Sequence, residues 1–159
     1  HKTYLDIGCG PGGMVQLAEQ KGFKVLGIDG DYTLDRYDSS KFLIHDFTIG
    51  PAPLTKKYDI GWSVEFVEHV YEKYIPNYVQ AMKKCKNLII TYAPPGWPGH
   101  HHVNCQPEEY WIEKLAEYGL SYDATLTEEL REASTMNYPK KAKKAFVRNR
   151  GLFFKNENV

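Results

Sequence analysis

The chain lacks the features that mark several classes of protein. Its 159 residues include no apolar run near the roughly 20 residues that a membrane-spanning helix needs, and no signal-peptide pattern opens the sequence. Basic and acidic residues are equal in number, at 20 each, so no net charge attracts nucleic acid or an anionic membrane. These absences predict a cytoplasmic protein without a membrane anchor or a nucleic-acid-binding module.

Cysteine is also scarce. Cys9, Cys85 and Cys105 are far apart in the sequence, so they form neither a C-x-x-C zinc pair nor a disulfide framework. Free thiols are therefore expected. The length predicts one domain, residues 1–159, which is large enough to bury a hydrophobic core.

The first apolar strand and the glycine-rich turn after it organise the chain. The stretch from Tyr4 to Gly13 reads YLDIGCGPGG, and a helix is expected to begin at its end. Glycine at Gly8, Gly10 and Gly12 lets the backbone adopt positive φ and approach a ligand closely, and we expect no room for a side chain at Gly10. The N–H groups of the following helix point at the same ligand. The spacing G-x-G-x-x-G fits a dinucleotide site, so an NAD-linked oxidoreductase is one interpretation.

A second interpretation follows from Asp6, which stands two residues before the first glycine. The stretch LDIGCGPGG resembles the first motif of the class I S-adenosylmethionine (SAM) dependent methyltransferases. The segment from Tyr58 to Ser63, followed by VEFVEHV at 64–70, is similar to the fourth strand and Glu-His turn of that family. The resemblance covers nearly the whole chain and favours SAM over NAD.

The resemblance implies a fold. It predicts a single α/β, Rossmann-like methyltransferase domain with a mostly parallel seven-stranded sheet, whose antiparallel last strand lies between the fifth and sixth. A helix interrupted by Pro76 is expected before the fifth strand, and Pro107 is expected at the first position of a helix that Gly119 ends. Family members usually carry helices before the first strand, and here these front helices are missing, either by truncation or by nature. One flank of the site is therefore expected to be open, and a second copy of the chain or the carboxyl-terminal segment would cover it.

The resemblance also implies a cofactor site along the ends of the first four strands. Asp6 would bind the ammonium side of SAM, directly or through water. Asp46 would bind the adenine amino group, with Phe47 stacking nearby. Asp29 follows the second strand at the interval expected for a carboxylate that binds a ribose diol, with Asp31 as the alternative. The full set of predicted cofactor residues is Asp6, Gly8, Cys9, Gly10, Gly12, Asp29, Gly30, Asp46, Phe47, Ser63 and Val64.

A proline-rich loop at 92–104 follows the fifth strand and is expected to form the acceptor pocket. Its histidines titrate near neutrality and are candidate proton acceptors, while Trp97 offers a flat apolar surface. No metal ion is expected, because adjacent histidines cannot all point one way and no carboxylate pattern completes a ligand set. The catalytic candidates are His69, His100, His101 and His102, and the substrate-binding candidates are Glu65, His69, Tyr92 and Trp97.

Together these residues predict an enzyme that transfers a methyl group from SAM to an oxygen or nitrogen atom of a small-molecule acceptor, such as a sugar or another metabolite. S-adenosylhomocysteine (SAH) would be the second product. An alternative is an RNA-modifying or RNA-binding protein that uses a basic cluster near the carboxyl terminus. That cluster consists of Lys140, Lys141, Lys143, Lys144, Arg148 and Arg150.

Overall fold

A computed structural model describes residues 2–135 and 144–159. The strands are β1 (Thr3–Ile7), β2 (Lys24–Asp29), β3 (Phe42–Ile44), β4 (Tyr58–Ser63), β5 (Cys85–Thr91), β6 (Ser121–Tyr122) and β7 (Gly151–Lys155). The α-helices are α1 (Gly13–Gln20), α2 (Ile75–Met82), α3 (Glu108–Ala116), α4 (Ala124–Ala133) and α5 (Phe146–Arg150). Single 3₁₀ turns occupy Ser39–Lys41, Val67–His69 and Glu72–Tyr74.

The seven strands form one sheet in the order β3-β2-β1-β4-β5-β7-β6. β1 to β5 are parallel to one another, and β7 lies antiparallel between β5 and β6, which confirms the predicted topology. Leu5 of β1 pairs with Leu26 on one side and with Gly61 on the other. Chain order therefore reverses between β1 and β4, and ligands of open α/β sheets bind outside the carboxyl ends of the strands at such a reversal.

The core joins the central strands to the helices. Leu5, Leu88 and Phe154 are fully buried with Tyr78 of α2 and Trp111 of α3. Apolar side chains on β1 and β5 suit parallel strands that are covered on both faces.

Two expectations about proline need correction. Pro76 does not interrupt a helix but stands in the first turn of α2. N–H groups in the first turn of a helix have no intrahelical acceptor, so proline breaks no hydrogen bond there. Pro107 is the N-cap of α3 and not its first helical residue. Gly119 follows α3 with φ +83°, in agreement with its predicted role as a helix stop.

The sixth strand is only two residues long, because the next residue, Asp123, is the N-cap of α4. Its side chain accepts a hydrogen bond from the Leu126 N–H at 2.9 Å. Lys140, Lys141 and Lys143 of the basic cluster lie outside the described residues.

Among residues 2–135 and 144–159, an apolar groove lies on one flank of the sheet beside α1. The exposed side chains of Met14 and Leu17 line this groove of about 410 Å³ together with Trp62, Leu130 and Val147. What covers this groove stays a prediction. No helix within residues 2–135 and 144–159 is long and apolar enough to cross a bilayer.

The tight contact between β4 and β5 yields a stability prediction. A Cβ added at Gly61 would lie 2.6 Å from Cys85 Sγ and 3.1 Å from Leu88 Cδ1. We expect Gly61→Ala to lower the free energy of unfolding by about 1–3 kcal/mol in urea titrations, because overpacking forces a buried neighbour to move. Gly13→Ala is the matched control, since no described atom lies within 4 Å of its added Cβ. Equal stabilities for the two variants would show that the strands are less closely packed.

Candidate functional site

The segment Gly8–Gly12, called here the glycine loop, is held against the end of β2. The backbone N–H groups of Gly8 and Cys9 both donate to the Ile28 carbonyl, at 2.8 and 3.0 Å. Gly12 is the N-cap of α1 and adopts a left-handed conformation with φ 92°. The loop therefore leads directly from the carboxyl end of β1 to the N-terminus of α1, as predicted.

The glycines of this loop differ in what constrains them. A Cβ at Gly8 would collide with the ring of Phe66, and one at Gly12 with the ring of Phe42. At Gly10 no described atom lies within 4 Å of an added Cβ, so the expectation that the protein leaves no room there is wrong. Its φ of +54° still favours glycine, and the open space beside it is available to a ligand.

Asp29 connects the end of β2 to the glycine loop. One carboxylate oxygen accepts from the Gly10 N–H at 2.8 Å, and the other accepts from the Asp31 N–H at 2.8 Å. Arg36 lies beside this carboxylate, with its Nη2 3.9 Å from Asp29 Oδ1, and its Nε donates to the Gly10 carbonyl at 3.2 Å. The sequence analysis did not anticipate Arg36, because it lies in a polar segment without a recognisable pattern. Asp31 is turned to its own loop, where it accepts from the Thr33 N–H at 2.9 Å.

Asp6 lies next to this carboxylate but in a drier environment. The residue is only 4% exposed. Burial and the negative charge of Asp29 raise the pKa of Asp6 to about 8. The same site raises the pKa of the Cys9 thiol to about 12, mainly by burial, so the thiol stays protonated at physiological pH.

The predicted residues after β3 have different surroundings. An added Cβ at Gly30 would lie 3.4 Å from the His45 carbonyl, so the loops after β2 and β3 are in contact. Asp46 is exposed and accepts from the Thr48 N–H at 2.8 Å, a bond that lowers the pKa of Asp46. The ring of Phe47 is not free to stack in the cleft as expected, since it is buried in the core with edge-to-face contacts to neighbouring aromatic rings. Those contacts are to His45, Phe66 and Tyr78.

Ser63 and the residues after it join β4 to its neighbours. The buried Ser63 hydroxyl donates to the Ile7 carbonyl at 3.0 Å, so it ties the end of β4 to the end of β1. Val64 is half-buried at the same edge of the sheet. The Glu65 N–H donates to Thr91 Oγ1 at 2.9 Å, which links the turn after β4 to the end of β5.

Most of the residues predicted to bind the methyl acceptor or to take its proton line one cavity of about 420 Å³, called here the histidine cavity. Its lining consists of Glu65, His69, Trp97, Pro98, Gly99, His100, His102, Lys144 and Phe146. Two predicted residues are not among them. The Tyr92 hydroxyl donates to Glu108 Oε2 at 2.9 Å, and a ring nitrogen of His101 lies 3.1 Å from the His69 carbonyl. Tyr92 and His101 therefore hold the framework of the cavity and do not line it.

Arg150 organises the wall of the histidine cavity. It is 6% exposed, its Nε donates to the Tyr92 carbonyl at 2.7 Å, and its guanidinium lies 4.5 Å from the centre of the Trp97 ring. Arg148 is exposed and donates to the Ser134 carbonyl at 3.2 Å. The expected basic cluster thus loses Arg150, which faces the protein interior.

The turn after β4 brings together groups that the sequence analysis kept apart. Glu68 is fully buried, and burial together with the Glu65 carboxyl raises its pKa. Burial and the nearby His102 lower the pKa of His69, so its imidazole is neutral at physiological pH. One donor atom each from Glu68, His69 and His102 lie within 4.8 Å of one another. The argument that no carboxylate accompanies these histidines is therefore wrong.

Known proteins resemble both the sequence and the fold. A family model described as a methyltransferase domain matches residues 5–91. The ubiquinone biosynthesis O-methyltransferase of Nitrosospira multiformis is 28% identical over an alignment of 130 residues that covers 76% of this chain and 51% of the relative. The chain spans about half the length of the curated relatives that it matches.

Two solved structures share the fold. A TehB-like SAM-dependent methyltransferase from Corynebacterium glutamicum superposes with a TM-score of 0.65 at 18% identity, over 98% of this chain and 80% of the other. The magnesium protoporphyrin IX methyltransferase from Synechocystis, solved with bound SAH, gives a TM-score of 0.60 at 17% identity, over 98% and 74%.

The family match extends from β1 to the end of β5. It includes the glycine loop, Asp29 and the turn that carries Glu68 and His69. It decides between the two interpretations of the glycine loop and sets aside the NAD-linked oxidoreductase. The chain belongs to the methyltransferase domain family.

Proposed function

We propose that the chain is the catalytic domain of a SAM-dependent methyltransferase that acts on an oxygen or nitrogen atom of a small-molecule acceptor. The observation that carries the proposal is the convergence of Asp6, the glycine loop and Asp29 where the chain order reverses. The histidine cavity lies at the ends of β4 and β5, the next strands along this edge. Relatives named as O-methyltransferases, and a fold neighbour solved with SAH, support the same activity.

The cofactor would be held by the ends of β1 to β4. Asp29 retains 19% exposure of its side chain and has acceptor capacity left for a ribose diol. Asp6 would accept from the ammonium side of the methionine moiety, and exposed Asp46 from the adenine amino group. At Gly10 the open space lets the ligand approach the backbone closely. When bound, SAM supplies an already activated methyl group.

The protein would mainly align the acceptor and exclude water, because the sulfonium needs no further activation. Trp97, held under Arg150, offers a flat apolar wall to the acceptor. His69, which is neutral, can accept a proton from the acceptor, as can His100 at the rim of the cavity. RNA as the acceptor is not favoured, since Arg150 is engaged inside the protein.

A thermal-shift experiment tests this function. At a SAM or SAH concentration of 100 times Kd, binding to the native state adds about 2.7 kcal/mol of stability. We expect the melting temperature to rise by roughly 5–10 °C for a chain of this size. NADH at the same concentration should leave the melting temperature unchanged. A shift with NADH and none with SAM or SAH would overturn the proposal.

Asp29 and Asp31 make a matched pair for the ribose contact. We expect Asp29→Ala to weaken SAM binding by about 1–3 kcal/mol in calorimetry, the scale of a lost hydrogen bond to a charged group. Asp31→Ala should leave the affinity within twofold, because its carboxylate is bonded to Thr33. If the two substitutions had equal effects, or if Asp31→Ala had the larger one, Asp29 would not be the ribose ligand.

The raised pKa of Asp6 predicts a pH dependence of SAM binding. With a pKa of about 8, the carboxyl is mostly protonated at pH 6 and must lose its proton to accept from an ammonium group. SAM affinity should therefore increase by roughly 20-fold from pH 6 to 7.5, with proton release that calorimetry detects in buffers of different ionisation enthalpy. Asp6→Asn should bind more weakly and show a flat profile. A flat profile in the unsubstituted protein would argue against this contact.

A further inference from the structure

Within the described residues, the connection between β2 and β3 contains no α-helix. It runs from residue 30 to residue 41 and has only the single 3₁₀ turn Ser39–Lys41. A crossover between parallel strands usually carries an α-helix, whose apolar face fixes the crossover to the sheet. Individual side chains must therefore hold this segment, called here the 30–41 connection, beside the glycine loop.

Surface contacts hold the far end of the 30–41 connection against α1. The Tyr37 hydroxyl donates to Glu19 Oε2 at 2.9 Å, and Lys41 Nζ lies 3.0 Å from Glu19 Oε1. The side chains of Lys41 and Glu19 are 35% and 37% exposed. An ion pair in contact with water stabilises a fold little, so these contacts are not sufficient to fix the connection.

Arg36 makes the contact that reaches the interior. Its side chain is 6% exposed, although it lies in a polar loop. Nε donates to the Gly10 carbonyl at 3.2 Å, Nη2 donates to the Asp31 carbonyl at 2.9 Å, and Nη1 donates to the Leu34 carbonyl at 3.4 Å. One guanidinium therefore joins the 30–41 connection to the glycine loop.

The ring of Phe42, the first residue of β3, packs against the same guanidinium. The centre of the ring lies 5.4 Å from Arg36 Cζ, within the range of a cation–π contact. A Cβ added at Gly12 or at Gly27 would collide with this ring, so the ring also touches the glycine loop and β2. Arg36 is thus enclosed by the glycine loop and the ends of β2 and β3.

Arg36 and Asp29 hold Gly10 from its two sides. Asp29 Oδ2 accepts from the Gly10 N–H at 2.8 Å, while Arg36 Nε donates to the Gly10 carbonyl. The two side chains also form an ion pair, with Arg36 Nη2 3.9 Å from Asp29 Oδ1. Because Gly10 has no side chain that could restrict its φ and ψ, these bonds at its N–H and its carbonyl fix the conformation of the loop.

We propose that Arg36 is a positioning residue for the methyl donor. Its buried guanidinium sets the backbone of Gly10 and the carboxylate of Asp29 in the arrangement that receives the ribose, before the donor binds. A loop that is ordered in advance loses less entropy on binding, so the donor binds more tightly. Lysine does not replace this arginine, because one ammonium group lacks the fixed fork that reaches several carbonyls at once. The inference rests on the proposed function, since it requires that SAM binds beside Gly10.

Calorimetry with SAH tests this role without an acceptor. We expect Arg36→Met and Arg36→Lys each to weaken SAH binding about tenfold or more, because neither side chain can make all the bonds of the guanidinium. Lys41→Met is the matched control, since Lys41 belongs to the same connection but pairs with Glu19 at the surface, and it should leave SAH affinity within about twofold. Circular dichroism checks that each variant is folded. If Arg36→Met does not fold, Arg36→Lys keeps the charge and gives the same comparison.

A double-mutant cycle separates positioning from a general effect on stability. Because Arg36 acts on the donor through Gly10 and Asp29, its loss should matter less once Asp29 is replaced. In an Asp29→Ala background, Arg36→Met should weaken SAH binding by less than about threefold. A purely structural role would give the same loss of affinity in both backgrounds.

Two outcomes would overturn the role of Arg36. The first is an SAH affinity of the folded Arg36 variants that equals that of Lys41→Met. The second is an undiminished effect of Arg36→Met in the Asp29→Ala background. Both would leave the proposed function standing, because the unsubstituted protein would still bind SAH. Absence of SAM and SAH binding by the unsubstituted protein would instead reject the proposed function, and this inference with it.

Discussion

Three hydrogen bonds from the glycine loop to the end of β2 are the constraint on which the candidate site depends. The N–H groups of Gly8 and Cys9 reach the Ile28 carbonyl, and the Gly10 N–H reaches the Asp29 carboxylate. These bonds require parallel pairing of β1 and β2 in the observed register, because a shift by one residue would turn Asp29 to the other face. The sheet thus sets both the loop conformation and the position of the acidic residue beside it.

Much of this arrangement could be predicted from the sequence. Apolar runs bounded by glycine and aspartate predicted the strands, and β4 agrees with its expected range to the residue. The placement of Asp29 at the end of β2 follows from its interval after Gly8, since a short βα unit leaves little freedom in the spacing. Local patterns and a family resemblance therefore suffice where the relevant residues are close in sequence or at strand ends.

Side-chain partners that are distant in sequence could not be predicted in this way. The proximity of Glu68 and His102 depends on how the 92–104 loop folds back onto the turn after β4, and no periodicity encodes that. In the sequence, Arg150 is indistinguishable from the other basic residues of the cluster, yet tertiary packing buries it. Phe47 stands at a strand end, where a ligand contact is expected, but neighbouring aromatic rings draw it into the core. In each case burial against a remote segment decided the outcome.

The position of Arg150 has a consequence for how this domain could change its substrate. Arg150 directly precedes β7 and holds both the backbone of Tyr92 and the ring of Trp97, whereas the predicted cofactor residues all come from the first 64 residues. The residues predicted to bind the cofactor and the residue that shapes the wall of the histidine cavity therefore come from opposite ends of the chain. Substitutions or insertions ahead of β7 would reshape the wall of the histidine cavity while the glycine loop and Asp29 kept their geometry. A domain built this way can change its acceptor through substitutions near the carboxyl terminus, while the site predicted to bind the methyl donor stays unchanged.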